Sequence, residues 1–501
     1  MQFTRRHFLA LSAAAAGGAV MLRRPWERSS PILPSSAVSV PSATTTIAAQ
    51  DGLLEHSLTA QRSRLTLQAG TGDTAVNTTI NTLAYNGIAT GDRLELRPGD
   101  TLRLTLNNQL DEPTNLHFHG LHIPPTGTGD DVFRHVAPGE TYTYEFQLAP
   151  DHPATLAYYH PHHHGLVARQ IFGGLGGAII VRGELDEIPA IKAATETIAI
   201  LKDFDRDFTR SPKGQEHLKG RHGEFVTLNG QQNPTWTIPQ NGLLRLRLLN
   251  ASTARYYQLA IEDHPLYLIG TDGGAIEQPV ELEAIDLAPG ERADILVKGN
   301  RPAKSYRVLD FGSGLTSGMG PGMGGMHGLN RTGQGDREPL TIATLTYGEP
   351  IATSVPNALP AQLTTIAALP EPKTIHRITL GHGMTGNSMV FLLNGQQFDH
   401  DRVDIQTQVG QVEDWEITNH GMTSHPFHIH VNPFQVIDRN GTPKPFRAWK
   451  DTVNINPGEV VRLRTRYNDF AGKTVFHCHI LDHEDSGMMG ILAIEAGAPS
   501  A

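Results

Sequence analysis

Pro457-Gly458-Glu459-Val460-Val461-Arg462-Leu463-Arg464-Thr465 is a tight turn that runs into residues alternating between apolar and charged. In an extended chain successive side chains point to opposite faces, so the stretch reads as a half-buried strand behind a Pro-Gly corner. The same phrase occurs twice earlier. Pro138-Gly139-Glu140 leads into Tyr142-Thr143-Tyr144-Glu145-Phe146, and Pro289-Gly290-Glu291 leads into Ala293-Asp294-Ile295-Leu296-Val297. In each copy an apolar residue stands two positions before the proline: Val136, Leu287 and Ile455. A second echo pairs Leu228-Asn229-Gly230-Gln231 with Leu393-Asn394-Gly395-Gln396, and the alternating run 94–106 is matched by 244–249. Self-similarity at a spacing of 151 and then 168 residues marks tandem copies of one unit. Short alternating strands, 51 Gly, 33 Pro and almost no long helical period make each unit a β-sandwich. Three units fit a chain of 501 residues at roughly 150 residues per domain. They fall at 53–185, 190–348 and 370–497, with a Pro/Ala/Thr-rich connector at 349–372.

A few residues beyond Thr465 stands His477-Cys478-His479-Ile480-Leu481-Asp482-His483-Glu484-Asp485-Ser486-Gly487-Met488-Met489, which holds the only cysteine of the chain. A thiolate, imidazoles and a thioether in close spacing form the donor set of a blue-copper electron-transfer site. On a strand, Cys478 faces one way while His477 and His479 face the other. Three more clusters supply partners: His117-Phe118-His119, His160-Pro161-His162 and His425-Pro426-Phe427-His428-Ile429-His430. Each H-x-H pair reaches two neighbouring metals. The pairs 117/119, 160/162, 428/430 and 477/479 serve one centre, and His425, Cys478, His483 and Met488 remain for the sulfur site. A single H-x-H would carry little weight; four of them, one flanking the sole cysteine, form a coherent ligand set.

On N-L-H-F-H-G (115–120), Y-Y-H-P-H (158–162), H-P-F-H-I-H (425–430) and H-C-H-x-x-x-H-E-D-x-G-M-M (477–489), in that order, the chain resembles the multicopper oxidases. That family includes laccases, bacterial cuprous oxidases and ascorbate oxidase. The resemblance implies an all-β fold of three tandem cupredoxin-like Greek-key β-sandwich domains. It also implies four copper ions. His117 and His428 would hold the type 2 ion, and His119, His160, His162, His430, His477 and His479 the type 3 pair. His425, Cys478, His483 and axial Met488 would hold type 1, with Met489 as packing. An axial methionine suggests a modest potential. Glu484 matches the family's proton-relay position, and Asp130 or Asp131 matches a second one. His122, His163 and His164 match no ligand position. The clusters occupy only the first and third units, so the three-copper centre should form between them, with the middle unit as a spacer.

A formal charge of −10 with no basic run beyond the N-terminus argues against nucleic-acid or anionic-membrane partners, and one cysteine excludes an internal disulfide framework. Thr4-Arg5-Arg6-His7-Phe8-Leu9, followed by an Ala-rich stretch, reads as a signal for the twin-arginine export machinery. Residues 1–49 are then signal and disordered linker, the apolar stretch is too short for a membrane span, and the protein is periplasmic or otherwise extracytoplasmic, exported folded, and a monomer. Met319, Met323, Met326 and His327, in the Gly-rich segment 312–335, are either Cu(I) ligands or incidental to a loose loop.

The expected reaction is four one-electron oxidations of a phenolic or aromatic donor, coupled to reduction of O2 to water. The alternative donor is a metal ion: Cu(I), Mn(II) or Fe(II). A non-enzymatic scaffold, as in division-associated relatives without copper, conflicts with the full ligand set. A two-domain copper nitrite reductase conflicts with the length and the H-C-H run.

Overall fold

A computed structural model describes residues 45–69, 76–312, 338–352, 356–386 and 388–497. The twin-arginine segment and the Gly/Met-rich stretch therefore lie outside the described residues, apart from Thr45 to Ala49 and Gly312. The described residues form six sheets that pack as three pairs. In the first pair a four-stranded sheet (Val76–Tyr85, Leu53–Ala69, Thr101–Asn108, Thr141–Gln147) faces a five-stranded one (Thr46–Ala48, Arg93–Leu96, Gly177–Val181, Thr155–His160, His117–His119). Thr101–Asn108 shows why: every second residue is buried, and Leu102, Leu104 and Leu106 meet Leu94, Phe118, Tyr159 and Ile179 in one core. The second pair has six and five strands, and the third has seven and five. Thr46–Ala48 lies within the segment read as signal and linker, yet it pairs in parallel with Arg93–Leu96.

The three units repeat one topology. In each, the opening long strand pairs in parallel with a later one: Leu53–Ala69 with Thr101–Asn108, Thr195–Phe204 with Leu243–Asn250, and Thr374–Thr385 with Val412–Asn419. The opposite sheets repeat a second parallel pair, Arg93–Leu96 with Gly177–Val181, Thr235–Pro239 with Leu340–Gly348, and Ile405–Gln408 with Met489–Glu495. Parallel neighbours need a crossover between the two sheets, which gives the sandwich its Greek-key form.

The Pro-Gly-Glu corner closes each crossover in the same way. Gly139, Gly290 and Gly458 sit at φ of 81°, 83° and 74°, a left-handed conformation that glycine adopts freely. Their N–H groups donate to the carbonyls of Asn108, Asn250 and Asn419. The carboxylates of Glu140, Glu291 and Glu459 turn back to accept the N–H of Ala137, Ala288 and Asn456, each at 2.8 Å. The three asparagines are buried, and each donates Nδ2–H to the carbonyl of the apolar residue two before the proline: Val136 (2.9 Å), Leu287 (3.0 Å) and Ile455 (2.8 Å).

In the middle unit Asn250 also donates to Arg255 O and accepts Ser252 N–H, so Asn250→Ala removes three side-chain hydrogen bonds, two of them buried. The expected loss is about 2–4 kcal/mol of unfolding free energy. It should be read from the denaturant midpoint, with no change in the metal content of the folded protein.

Candidate metal centre

Two strands from each outer unit position the histidines. In the first unit His117–His119 pairs with Thr155–His160, setting His117 opposite His160. In the third, His425–Ile429 pairs with Gly472–Cys478, setting His428 opposite His477 and Phe427 opposite Cys478. Cys478 and Met488 point into the third unit's core beside Trp415 and Phe427. His477 leaves the sheet on the other side, where its Nε2 lies 3.2 Å from His162 Nε2 and 3.1 Å from His430 Nε2.

His425, Cys478 and His483 form a fully buried triangle. His425 Nδ1 is 3.4 Å and His483 Nδ1 3.7 Å from the sulfur, and the two nitrogens are 3.3 Å apart. His483 Nε2 donates to the Leu218 carbonyl at 3.1 Å, which fixes the tautomer and leaves Nδ1 as a free lone pair. Phe391 stacks on the same ring at 3.6 Å. Burial pushes the Cys478 thiol up, so a thiolate there requires a cation beside it. Burial also pushes His425 down to about 3.

The eight remaining histidines, none more than 2% exposed, meet between the first and third units. His117 donates Nδ1–H to Asp130 at 2.7 Å, His428 donates Nδ1–H to the Asp451 carbonyl at 2.8 Å, and their Nε2 atoms face each other at 3.3 Å. His162, His430 and His477 form a triad whose donor atoms lie within 4.8 Å of one another. His119, His160 and His479 form the third group, with ring centroids 5.0–5.8 Å apart. His119 is anchored through Nε2 to Asp451 (2.8 Å) and His160 through Nδ1 to the Pro161 carbonyl (3.0 Å). The opposite nitrogens, His119 Nδ1 and His160 Nε2, and both nitrogens of His479 are buried with no partner in the protein. Orphaned buried nitrogens are costly unless something binds them, and a soft-to-borderline cation such as copper satisfies them. Burial first, then the neighbouring imidazoles, hold most of these rings well below the usual imidazole range, so they are neutral donors at pH 7.

The carboxylates separate clearly. Asp130 is buried and contacts both His117 and, at 3.2 Å, His430 Nδ1. Asp131 turns outward and pairs with Arg134 at 3.4 Å. Glu484 is fully buried, with its oxygens 3.0 Å from His477 Nδ1 and 3.4 Å from His162 Nε2. His122, His163 and His164 stand outside the cluster. His122 Nδ1 donates to the carbonyl of Val431, a β-branched residue held at φ 66° directly after His430.

The middle unit is more than a spacer, because four of its residues support the centre and none carries a metal-ligand spacing that would betray it. Leu218 anchors His483, and Arg221 pairs with Asp482 at 2.9 Å. Arg292, 2% exposed, clamps Asp451 behind His119 and also donates to the carbonyls of Leu156, Gly290 and Asp272. Gly120 of the N-L-H-F-H-G motif makes room for it, since a Cβ there would lie 2.2 Å from the guanidinium. The corner glycine Gly290 packs on the His479 ring, which a Cβ would approach to 2.9 Å.

Family models described as multicopper oxidase match residues 67–186, 199–319 and 368–498. The chain is 30% identical over 442 residues to multicopper oxidase mco of Staphylococcus haemolyticus, covering 86% of this chain and 88% of that protein. It is also 30% identical over 518 residues to cell division protein FtsP of Photorhabdus laumondii, covering 98% of each. Among solved structures, a multicopper oxidase from Campylobacter jejuni, titled a metallo-oxidase, superposes with a TM-score of 0.74 at 28% identity, covering 92% of this chain and 96% of that one. With three matching family models, relatives of this coverage and a buried donor set fitted to copper, the chain belongs to the multicopper oxidases, a family of oxidoreductases.

Proposed function

We propose that the protein is a four-copper oxidase that takes electrons singly from a donor and delivers them to dioxygen. The observation that carries this is the convergence of eight buried imidazoles, several with unpartnered nitrogens, at the junction of two units, with Cys478 on the same strand facing the other way. A scaffold role, which the FtsP similarity raises, would not require orphaned nitrogens to converge. His425, Cys478, His483 and Met488 would hold type 1 copper, His117 and His428 type 2, and His119, His160, His479, His162, His430 and His477 the type 3 pair. Copper, when bound, supplies one-electron acceptance at the sulfur site and four-electron reduction of O2 to two waters at the eight-histidine cluster. The main chain of Cys478 continues into His477 and His479, so covalent bonds join the two centres. Glu484, wedged between His477 and His162, is placed to hand protons to the cluster. Asp130, rather than Asp131, is the second acid.

For the donor, we favour laccase-like oxidation of phenols. A groove of about 310 Å³ lined by Met389, Phe391, His217, Arg210 and Asp482 abuts the ring stacked on His483, with room for one aromatic molecule. A second reading, Cu(I), rests on the rim above His425. Met384 and Met422 are each 63% exposed, and His382 Nδ1 lies across Gly421 from His425; exposed thioethers beside an imidazole suit a soft ion. Residue ranges 53–185, 190–348 and 370–497 serve as the domains, and the twin-arginine segment would place the protein outside the cytoplasm. No helix among the described residues is long and apolar enough to cross a membrane.

Cys478→Ser should abolish the intense blue absorption of the copper-loaded protein, and retention of that band would refute the assignment. Oxygen uptake should fall by about 100-fold in Glu484→Gln, while Asp131→Asn leaves it unchanged. Replacing Met384 and Met422 with Leu together should lower Cu(I) turnover and spare phenols if the metal reading holds. Arg292→Gln leaves Asp451 buried without its cation, so stability should drop by about 3–5 kcal/mol in chemical unfolding, with copper content falling as His119 loosens; Arg292→Lys should recover part of both.

A further inference from the structure

Four histidines outside the ligand set lie at one opening. His135 Nδ1 and His163 Nε2 are 3.0 Å apart with ring planes at 63°. Across the opening, His164 and His400 rings lie 5.6 Å apart, both against Phe398. His163, His164 and His400 line a cavity of about 70 Å³ together with Arg134 and His162, the last a member of the buried triad. Exposure falls along this path: His135 and His400 are exposed, His163 and His164 half-buried, and His162 is 2% exposed. Nδ1 of His163 and Nδ1 of His164 have no partner in the protein although both atoms are shielded from solvent. Arg134, which lines the cavity, is paired with Asp131 and lies over the Tyr142 ring at 4.6 Å.

Metal–imidazole bonds of about 2.0–2.1 Å at ordinary coordination angles place two donor nitrogens ~3 Å apart, the separation of His135 and His163. A single N–H···N hydrogen bond gives the same distance, but it explains neither the orphaned nitrogens behind it nor the line of imidazoles ending at the cluster. We infer that the His135–His163 pair, backed by His164 and His400, is a capture site for a divalent first-row ion, Cu2+ above all, through which metal enters towards His162. Imidazole sites bind Cu2+ more tightly than the neighbouring first-row ions, and a fully buried cluster needs a route by which each ion exchanges water for protein donors stepwise. The entry role rests on the copper centre proposed above; the capture site itself does not.

The test titrates Cu2+ into copper-loaded protein and into its His135→Ala/His163→Gln double variant, counting bound ions after dialysis and following the added Cu2+ by electron paramagnetic resonance. The wild type should hold one ion that the variant loses. The apo-protein should also reload its cluster more slowly in the variant, to the same final content and turnover. Equal ion counts, or equal reloading rates, overturn the inference. So does a fall in turnover at unchanged reloading, which would assign the opening to dioxygen or proton traffic. His163→Gln alone, which leaves the exposed His135 in place, guards against a folding defect. If the apo-protein takes no copper into its cluster, the oxidase reading fails, and titration of the apo-protein against the double variant still decides the capture site.

Discussion

An imidazole tied down by one nitrogen keeps the other free, and most rings of the two centres are held under that constraint. Asp130 holds His117 and His430, Asp451 holds His119 and His428, and main-chain carbonyls hold His160, His477 and His483. A ring anchored by an acceptor keeps its proton there, and its lone pair therefore points away, towards the shared centre. Burial enforces the neutral form, since a charged imidazole in that space would lack water and face its neighbours' like charge. Geometry and protonation are thus set by the same few contacts.

Those contacts come from all three units. The first and third contribute rings, while the middle one contributes Arg292, Leu218 and the Gly290 corner that supports His479. The buried Arg292–Asp451 pair joins middle and third units immediately behind a ring of the first, so packing of the three sandwiches and alignment of the cluster are coupled. A ligand-free unit retained at the centre of such a chain makes sense as a bracket. Its buried guanidinium spends five N–H donations on three carbonyls and a carboxylate, so the charge is fully satisfied where it is buried.

The alternation in Val460–Arg466 and the recurring Pro-Gly-Glu phrase were enough to read the sandwiches, because strand periodicity and a left-handed corner are local properties. The H-x-H pairs were legible for the same reason. Asn108, Asn250 and Asn419 were not: a buried asparagine at a strand end has the same spelling as a loop residue, and its partners lie 28 to 37 positions away. Asp130 and Asp131 could not be told apart in sequence because the turn that follows Pro124 decides which side chain faces inward, through the Asp130 N–H bond to the Pro124 carbonyl. Arg292 and Asp451 look like ordinary charges on alternating strands, and only the docking of separate units reveals that they meet. The role given to the middle unit on sequence grounds was too small for this reason.

The outer nitrogen of His483 ends on a peptide carbonyl, that of Leu218, rather than on a side chain. Substituting residue 218 leaves that acceptor in place, so a side-chain change there does not remove the hydrogen bond. A shift of the backbone around Glu216–Lys219 does. Among related chains, diversity at this anchor of His483 should therefore accumulate as insertions and deletions in that loop more than as single-residue replacements.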